Sequence, residues 1–540
     1  MSRQARWLLL GVASLVLLVL LLGARRLDEP GLYYDEVIQA TPASEFLREG
    51  GEPLRIPGAR NTWLFGGWFP LMTQPYMGAL KSQLLIPTFA AFGASRETLR
   101  IATLAWACAG LLLLAFWTRE IAGARAALAL AALLALDPSF LFVSRHDWGS
   151  VSLALVCRGG GLWLATAGWR VGSSLRMLAG GLLLGLGVYN KIDFAPFLAG
   201  CAVALLAAAP REVLSAPRQR PRQVGALVLG VIVGASPMLL SVGGVLSATE
   251  AMFRSVGARP DELGEKLLAW RTLLDGSYFH RLMLAGGSFE RLDRVGGAAW
   301  SPFGWIFAAA WVGLALHAVA AQRRGEPDRP AVFALVATLT TALLLLATPR
   351  AARIHHVMNV QPLPQLVVAL AAVRLADRSR AGRGLAAAGL LAALAGGLFV
   401  DLRVFDTLRE TGGSGRWSGA LERLAHELPD DTVVVSLDWG FHAPLRFTRP
   451  ELALVEPVWQ LHGRMASLRG GPKHLYLVQE PGGEVFDLGP RLLAAVAELP
   501  PERVTIRVHE DRSGQPAFRS ISFARPHELV YRETVEVRLR

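Results

Sequence analysis

The chain has 540 residues, of which 52% are hydrophobic and only 18% charged, with a mean hydropathy of +0.37; a soluble protein carries about 25% charge, so a large globular enzyme is excluded. The net charge of +12 does not point to nucleic acid, because the basic residues are scattered through short loops between apolar runs, where they report membrane topology. Cys108, Cys157 and Cys201 each lie inside an apolar segment with no CxxC or Cys/His spacing, which excludes a disulfide framework and a structural zinc.

Apolar runs of roughly 17–22 residues, each able to cross about 30 Å of hydrocarbon, recur through the first 400 positions. They predict a polytopic α-helical membrane protein with about eleven spans. The spans fall near 7–23, 99–117, 126–143, 151–168, 178–188, 194–209, 224–241, 302–320, 331–347, 356–375 and 385–400. The first run follows Arg3 and Arg6, lacks a small-residue cleavage site and precedes Arg25-Arg26, so it reads as an uncleaved span. With the N-terminus inside, the inside loops at 119–125, 170–176, 210–222, 322–329 and 374–383 are all basic. That agreement requires 178–209 to cross twice, as two short helices broken at Tyr189-Asn190-Lys191-Ile192-Asp193. Interrupted helices at membrane depth are tolerated where they line a cavity.

The outside face then receives the first loop (24–98), 144–150, the break at 189–193, 243–301, 348–355 and everything after about 401. In the first loop, 74–93 is apolar but contains Pro75, Lys81 and Pro87, and reads as interfacial helices. Two domains are expected: a membrane domain at 1–401 and a small extracytoplasmic α/β domain at 402–540. In the latter, 417–427 and 492–499 read as helices, and 432–437, 474–478, 504–508 and 530–537 as strands.

The candidate chemistry collects on the outside face. Asp35 and Glu36 form an acidic pair directly after the first span; such a pair can act as general base toward a hydroxyl, bind a divalent cation, or be a solvated loop pair. Asp137 opens a polar stretch that runs to Arg145, His146 and Asp147; these cluster between two spans, as site residues or as a hairpin cap with a snorkelling arginine. Lys191 and Asp193 at the helix break are ionisable residues at membrane depth, a functional hypothesis by default, with a pair that merely stabilises the break as the alternative. Arg350, Arg353, His355 and His356 run against the positive-inside trend and argue for an anionic partner, phosphate or lipid head groups. Adjacent histidines point different ways on a helix, so chelation by that pair alone is not expected. Lys81 is a further candidate phosphate contact. Acid groups facing base groups suit transfer from a polyprenyl-phosphate donor, and neither a P-loop nor a dinucleotide fingerprint is present to hold a nucleotide.

Several stretches taken together resemble the GT-C membrane glycosyltransferases, in particular the bacterial branch related to protein O-mannosyltransferases and the aminoarabinose transferases. They are Tyr34-Asp35-Glu36, Gln74-Pro75-Tyr76-Met77-Gly78-Ala79-Leu80-Lys81, Phe92-Gly93-Ala94-Ser95 with Leu99-Arg100, 136–140 with 145–149, 187–193, and His355-His356 with Pro362. The resemblance covers roughly 7–400 and implies a GT-C fold and an active site at the outer face of the cytoplasmic membrane. It implies a polyprenyl-phosphate sugar donor, inversion at the anomeric carbon, and a glycan, lipid or protein acceptor. It puts Asp35 in the place of the catalytic acidic residue of the first loop and Asp147 in that of a second acidic residue, with Glu36 a helper. Tyr76, Lys81, Arg145, His146, Lys191, Asp193, Arg350, Arg353, His355 and His356 are then the expected donor-phosphate and substrate contacts. No cofactor is expected to be required, a divalent cation being the one candidate. The C-terminal region matches no module of these families, and Asp438-Trp439-Gly440-Phe441-His442 is its one sugar-binding-like stretch. A transporter or flippase of lipid-linked glycans, or a non-catalytic glycan-assembly protein, is the alternative; the broken helix fits the first, but no repeated halves are visible.

Overall fold

A computed structural model describes residues 3–539 apart from 54–55, 57, 242, 244–245, 247–260, 349–351, 459–465 and 532–534. Among the described residues, eight helices are long and apolar enough to cross a membrane, or up to ten if each of two bent pairs counts as one span. The eight include Arg6–Gly23, Arg96–Ala122, Val151–Val171, Ile354–Arg378 and Arg380–Thr411. The bent pairs are Ala124–Ala135 with Pro138–His146, at 64°, and Ile192–Ala208 with Pro210–Gln219, at 101°. The remaining expected crossing is the helix Ser174–Asn190, of 17 residues.

Local chemistry sets these boundaries. Ser95, Asp137, Ser173 and Ser379 each accept a backbone N–H at a helix start. Pro138 follows Asp137 as a first-turn proline, so a new helix begins there and the long apolar run bends instead of continuing. The helix carrying the expected break does end at Asn190, and one 3₁₀ turn, Ile192–Phe194, leads into the next. Ser174–Asn190 crosses Pro221–Ala235 through two small-xxx-small pairs. A Cβ on Gly181 would lie 2.1 Å from the Leu227 carbonyl, and one on Gly234 2.3 Å from that of Leu182. Backbones this close pack without side chains between them, which fixes the height of Lys191 at the end of its helix.

Within 74–93, expected to be helical, Leu80–Phe92 forms a helix. Ahead of it, Arg60–Leu64, Gly67–Gln74 and Met77–Gly78 form a small antiparallel sheet. In Gly67–Gln74 the buried positions are Gly67, Pro70, Met72 and Thr73, without the regular alternation that would mark a strand in the sequence.

The last long helix runs on to Thr411 and closes on left-handed Gly412. Beyond it, five strands form a mixed sheet in the spatial order Val504–Glu510, Pro516–Phe523, His474–Gln479, Val433–Ser436, Ala453–Val455. The last three are mutually parallel. The strand expected at 530–537 is a pair instead, His527–Tyr531 antiparallel to Val535–Leu539, in a second sheet with Ala466–Gly470. The loops after Val433–Ser436 and His474–Gln479 leave the carboxyl ends of parallel strands, where α/β sheets expose their binding crevices, and both reach back to the membrane region.

Candidate active site

Asp35 sits in a one-turn helix, Tyr34–Val37, clamped on both sides. Before it, the Tyr33 ring packs 4.8 Å from Trp148 and 5.4 Å from Trp439, and the Tyr34 ring lies 4.6 Å from Trp439. After it, Glu36 takes a bidentate ion pair from Arg100, at 2.6 and 2.9 Å. Fork-to-fork pairing of this kind fixes direction as well as distance. The Asp35 carboxyl is left half-buried and facing a cavity of about 260 Å³.

That cavity is lined by Asp35, Tyr76, Lys191, Arg353, His355 and His356, by the aromatic rings of Tyr33, Tyr34, Trp148, Phe289 and Trp439, and by Arg416. Burial raises the Asp35 carboxyl to about 6, against the pull of Lys191, Arg353, Lys81 and Arg416, which favour its charged form. Burial likewise holds the Tyr76 hydroxyl well above its usual range, with Asp35 and Asp193 adding to the effect. Lys191 lies 2.9 Å from Asp193 Oδ2, and His356 Nδ1 is 3.2 Å from the same oxygen.

The two histidine rings are 4.1 Å apart and both line the cavity, contrary to the expectation that neighbours diverge. They occupy a single turn, Ile354–Val357, that passes at once into 3₁₀ geometry, so regular helical spacing does not apply. No cluster of three or more metal-ligating side chains is present among the described residues.

Other expected site residues lie elsewhere. Glu36 does not line the cavity; its carboxylate is taken up by Arg100. Lys81 and Asp147 are both fully buried and pair with each other at 2.9 Å. Lys81 also donates to the carbonyls of Glu36 and Asp147. Asp147, left-handed at φ 45°, accepts the Ser152 N–H at 2.7 Å. Neither side chain touches the cavity, but together they tie the Asp35 loop to the 144–150 turn. In that turn Gly149 brings bare backbone against Lys191 and His355; its φ is +72°, and a Cβ would sit 3.1 Å from the Lys191 amine. Arg145 is buried away from the cavity and donates to the carbonyls of Arg25, Arg26 and Glu29, fixing the exit of the first span. His146 is buried against Trp417. Arg350 lies outside the described residues.

Sequence reasoning missed Arg416 and Phe289, and left Trp439 without a link to Asp35. Arg416 comes from Gly415-Arg416-Trp417, past the last span, where no spacing or motif singles it out; its neighbour Trp417 is buried among Trp148, Phe279 and His146.

No protein-family model matches the chain, and neither does any curated protein sequence. Solved structures do resemble it. ArnT from Cupriavidus metallidurans bound to undecaprenyl phosphate has 14% identity and a TM-score of 0.53 over 96% of this chain and 98% of its own. Its apo state gives a TM-score of 0.51 at the same identity and coverage. The Archaeoglobus fulgidus oligosaccharyltransferase, in complex with Zn and sulfate, has 15% identity and a TM-score of 0.50 over 83% of this chain and 62% of its own. At such identities the likeness is one of fold: the chain shares the fold of ArnT and of the archaeal oligosaccharyltransferase.

Proposed function

We propose that the chain is an inverting glycosyltransferase that moves a sugar from a polyprenyl-phosphate-linked donor to an acceptor hydroxyl at the outer face of the cytoplasmic membrane. The observation that carries this reading is the Asp35 carboxyl, raised to about 6 and facing Lys191, Arg353 and Arg416 across one cavity. A carboxylate with its pKa near the working pH is an effective general base, and cations opposite it suit a leaving phosphate. Asp35 takes the proton of the acceptor hydroxyl as its oxygen bonds to the anomeric carbon. The bond from that carbon to the phosphate oxygen breaks on the opposite face, which inverts the centre. Glu36, Arg100, Lys81 and Asp147 hold Asp35 in place. The undecaprenyl phosphate bound by ArnT supports a lipid phosphate in this chain as well. The reading includes eleven crossings, with Ser174–Asn190 as one of them, and an outside C-terminal domain. It needs no metal. The acceptor is a glycan, lipid or protein hydroxyl.

The test is transfer of radiolabelled sugar from polyprenyl-phosphate donors in membranes containing the protein. Asp35→Asn removes the base without changing shape and lowers the rate by about 10²–10⁴-fold. Undiminished transfer by that variant would overturn the assignment. A second reading, a flippase of lipid-linked glycans, would leave product formation independent of Asp35 once donor is supplied at the outer face.

A further inference from the structure

We propose that Arg416, from the segment beyond the last span, is a phosphate-binding residue that works with Arg353 as a two-armed clamp. The inference rests on the lipid-phosphate reading above and extends it to the C-terminal region. Both guanidiniums lie over the same Phe289 ring, at 4.5 Å for Arg353 and 4.9 Å for Arg416, and both line the cavity that holds Asp35. Stacking on an aromatic ring orients a guanidinium plane.

Arg416 is held firmly. Its Nε donates to the Gly287 carbonyl at 3.2 Å and its Nη1 to that of Gly483 at 2.9 Å. It sits at the tip of a tight hairpin, Gly413–Ser414 paired with Trp417–Ser418. The preceding Gly415 has φ +53° and packs so closely that a Cβ would lie 1.9 Å from the Gly286 carbonyl, so no other residue fits there without movement. The Gly415 N–H donates to Asp511 at 2.9 Å, and Trp417 on the other side is buried. An arginine fixed this way binds an anion with little further loss of side-chain freedom.

The charges that line the cavity fit this role. Three cationic side chains, Lys191, Arg353 and Arg416, line the cavity beside Asp35, and Lys191 also pairs with Asp193 at 2.9 Å. The donor phosphate is a diester with one negative charge. As the acceptor oxygen bonds to the anomeric carbon, the pair of the breaking carbon–oxygen bond stays with the phosphate, which becomes a dianion. The acceptor proton goes to Asp35, which becomes neutral. The negative charge that leaves Asp35 is thereby gained by the phosphate, beside the guanidiniums that line the same cavity. Binding that strengthens as charge develops on the leaving group accelerates the reaction.

The test uses the full-length protein in lipid nanodiscs, with undecaprenyl phosphate and the phosphate-free undecaprenol as probes. Wild type should bind the phosphate far more tightly than the alcohol. Arg416→Gln should weaken undecaprenyl phosphate about tenfold or more and leave undecaprenol unchanged. Arg416→Lys keeps the charge but not the fork, and should lose a few-fold even where the glutamine variant fails to fold. Arg469→Gln, on an exposed strand of the same region, should match wild type. Unchanged preference for the phosphate in the folded Arg416 variants would overturn this inference alone. A wild type that does not prefer the phosphate would overturn the lipid-phosphate reading and this inference with it.

Discussion

Two sets of charged side chains meet at the Asp35 loop, and they differ in one respect. Behind the loop, Glu36 with Arg100 and Lys81 with Asp147 are nearly or fully buried and close on each other as pairs. In front of it, Asp35, Lys191, Arg353 and Arg416 line open space large enough for a ligand. Burying an ion pair costs desolvation that the pair alone barely recovers, so the rear set contributes geometry more than stability. The front set places three cations beside Asp35 on the wall of one cavity, an arrangement suited to an added anion. Residues of the same types, some adjacent in sequence, therefore do different work according to whether they are packed inside the protein or line the cavity.

The comparison breaks most sharply in the rear set. Arg100→Leu leaves the Glu36 carboxylate buried without its counter-charge and should destabilise the fold by about 3–5 kcal/mol. Glu36→Leu added to Arg100→Leu should recover much of that loss, because two apolar side chains bury without an orphaned charge. Thermal unfolding in detergent, referred to wild type, measures both; equal instability of the single and double variants would show that the pair is not the source. Lys81→Met should cost less than Arg100→Leu, about 2–4 kcal/mol, since Asp147 keeps the Ser152 N–H when the lysine is gone. Its transfer rate should fall only as far as Asp35 is displaced, and Asp147→Asn in the same background should restore stability. A Lys81→Met protein as stable as wild type but inactive would instead place the lysine in the front set.

How far the sequence reveals this division depends on what each residue answers to. Apolar runs of membrane length, the basic loops between them and the break before Lys191 are strong local signals, and the structure has helices at each of those runs. The front set was legible at Asp35, Lys191, Arg353 and the histidines because ionisable residues beside membrane-length apolar runs are conspicuous, and at Tyr76 only through the family resemblance. The rear set was not separable from it, because the pairing of Glu36 with Arg100 spans 64 residues and that of Lys81 with Asp147 spans 66. Nothing in local pattern says which of two adjacent carboxylates turns inward. Arg416 was illegible for a related reason: a lone arginine among glycines and serines looks like loop chemistry, and only the hairpin packed on Gly286-Gly287 aims it at the cavity.

The smallest expected effect is on pH dependence, and it bears most directly on the front set. Asp35 acts as a base only when deprotonated. With burial raising its carboxyl to about 6, the transfer rate should be level above that pH and fall about tenfold per unit below it. Arg353 is among the charges that favour the ionised form, so Arg353→Gln removes part of the opposition to burial and the Asp35 pKa must rise. The break in the profile of kcat/KM should then move to higher pH, by less than about one unit because Lys191, Lys81 and Arg416 remain. The position of the break, not the height of the profile, is the readout, since the same substitution also weakens donor binding at every pH. Buried Asp438, also raised to about 6, titrates in the same range and holds the Trp439 and Val485 backbones over the cavity. An Asp438→Asn background removes that group and leaves the Asp35 limb in view. A break that stays in place when Arg353 is neutralised, in that background, would mean that the titrating base is not Asp35, and the contrast between buried pairs and cavity-lining charges would then have to be drawn around a different carboxylate.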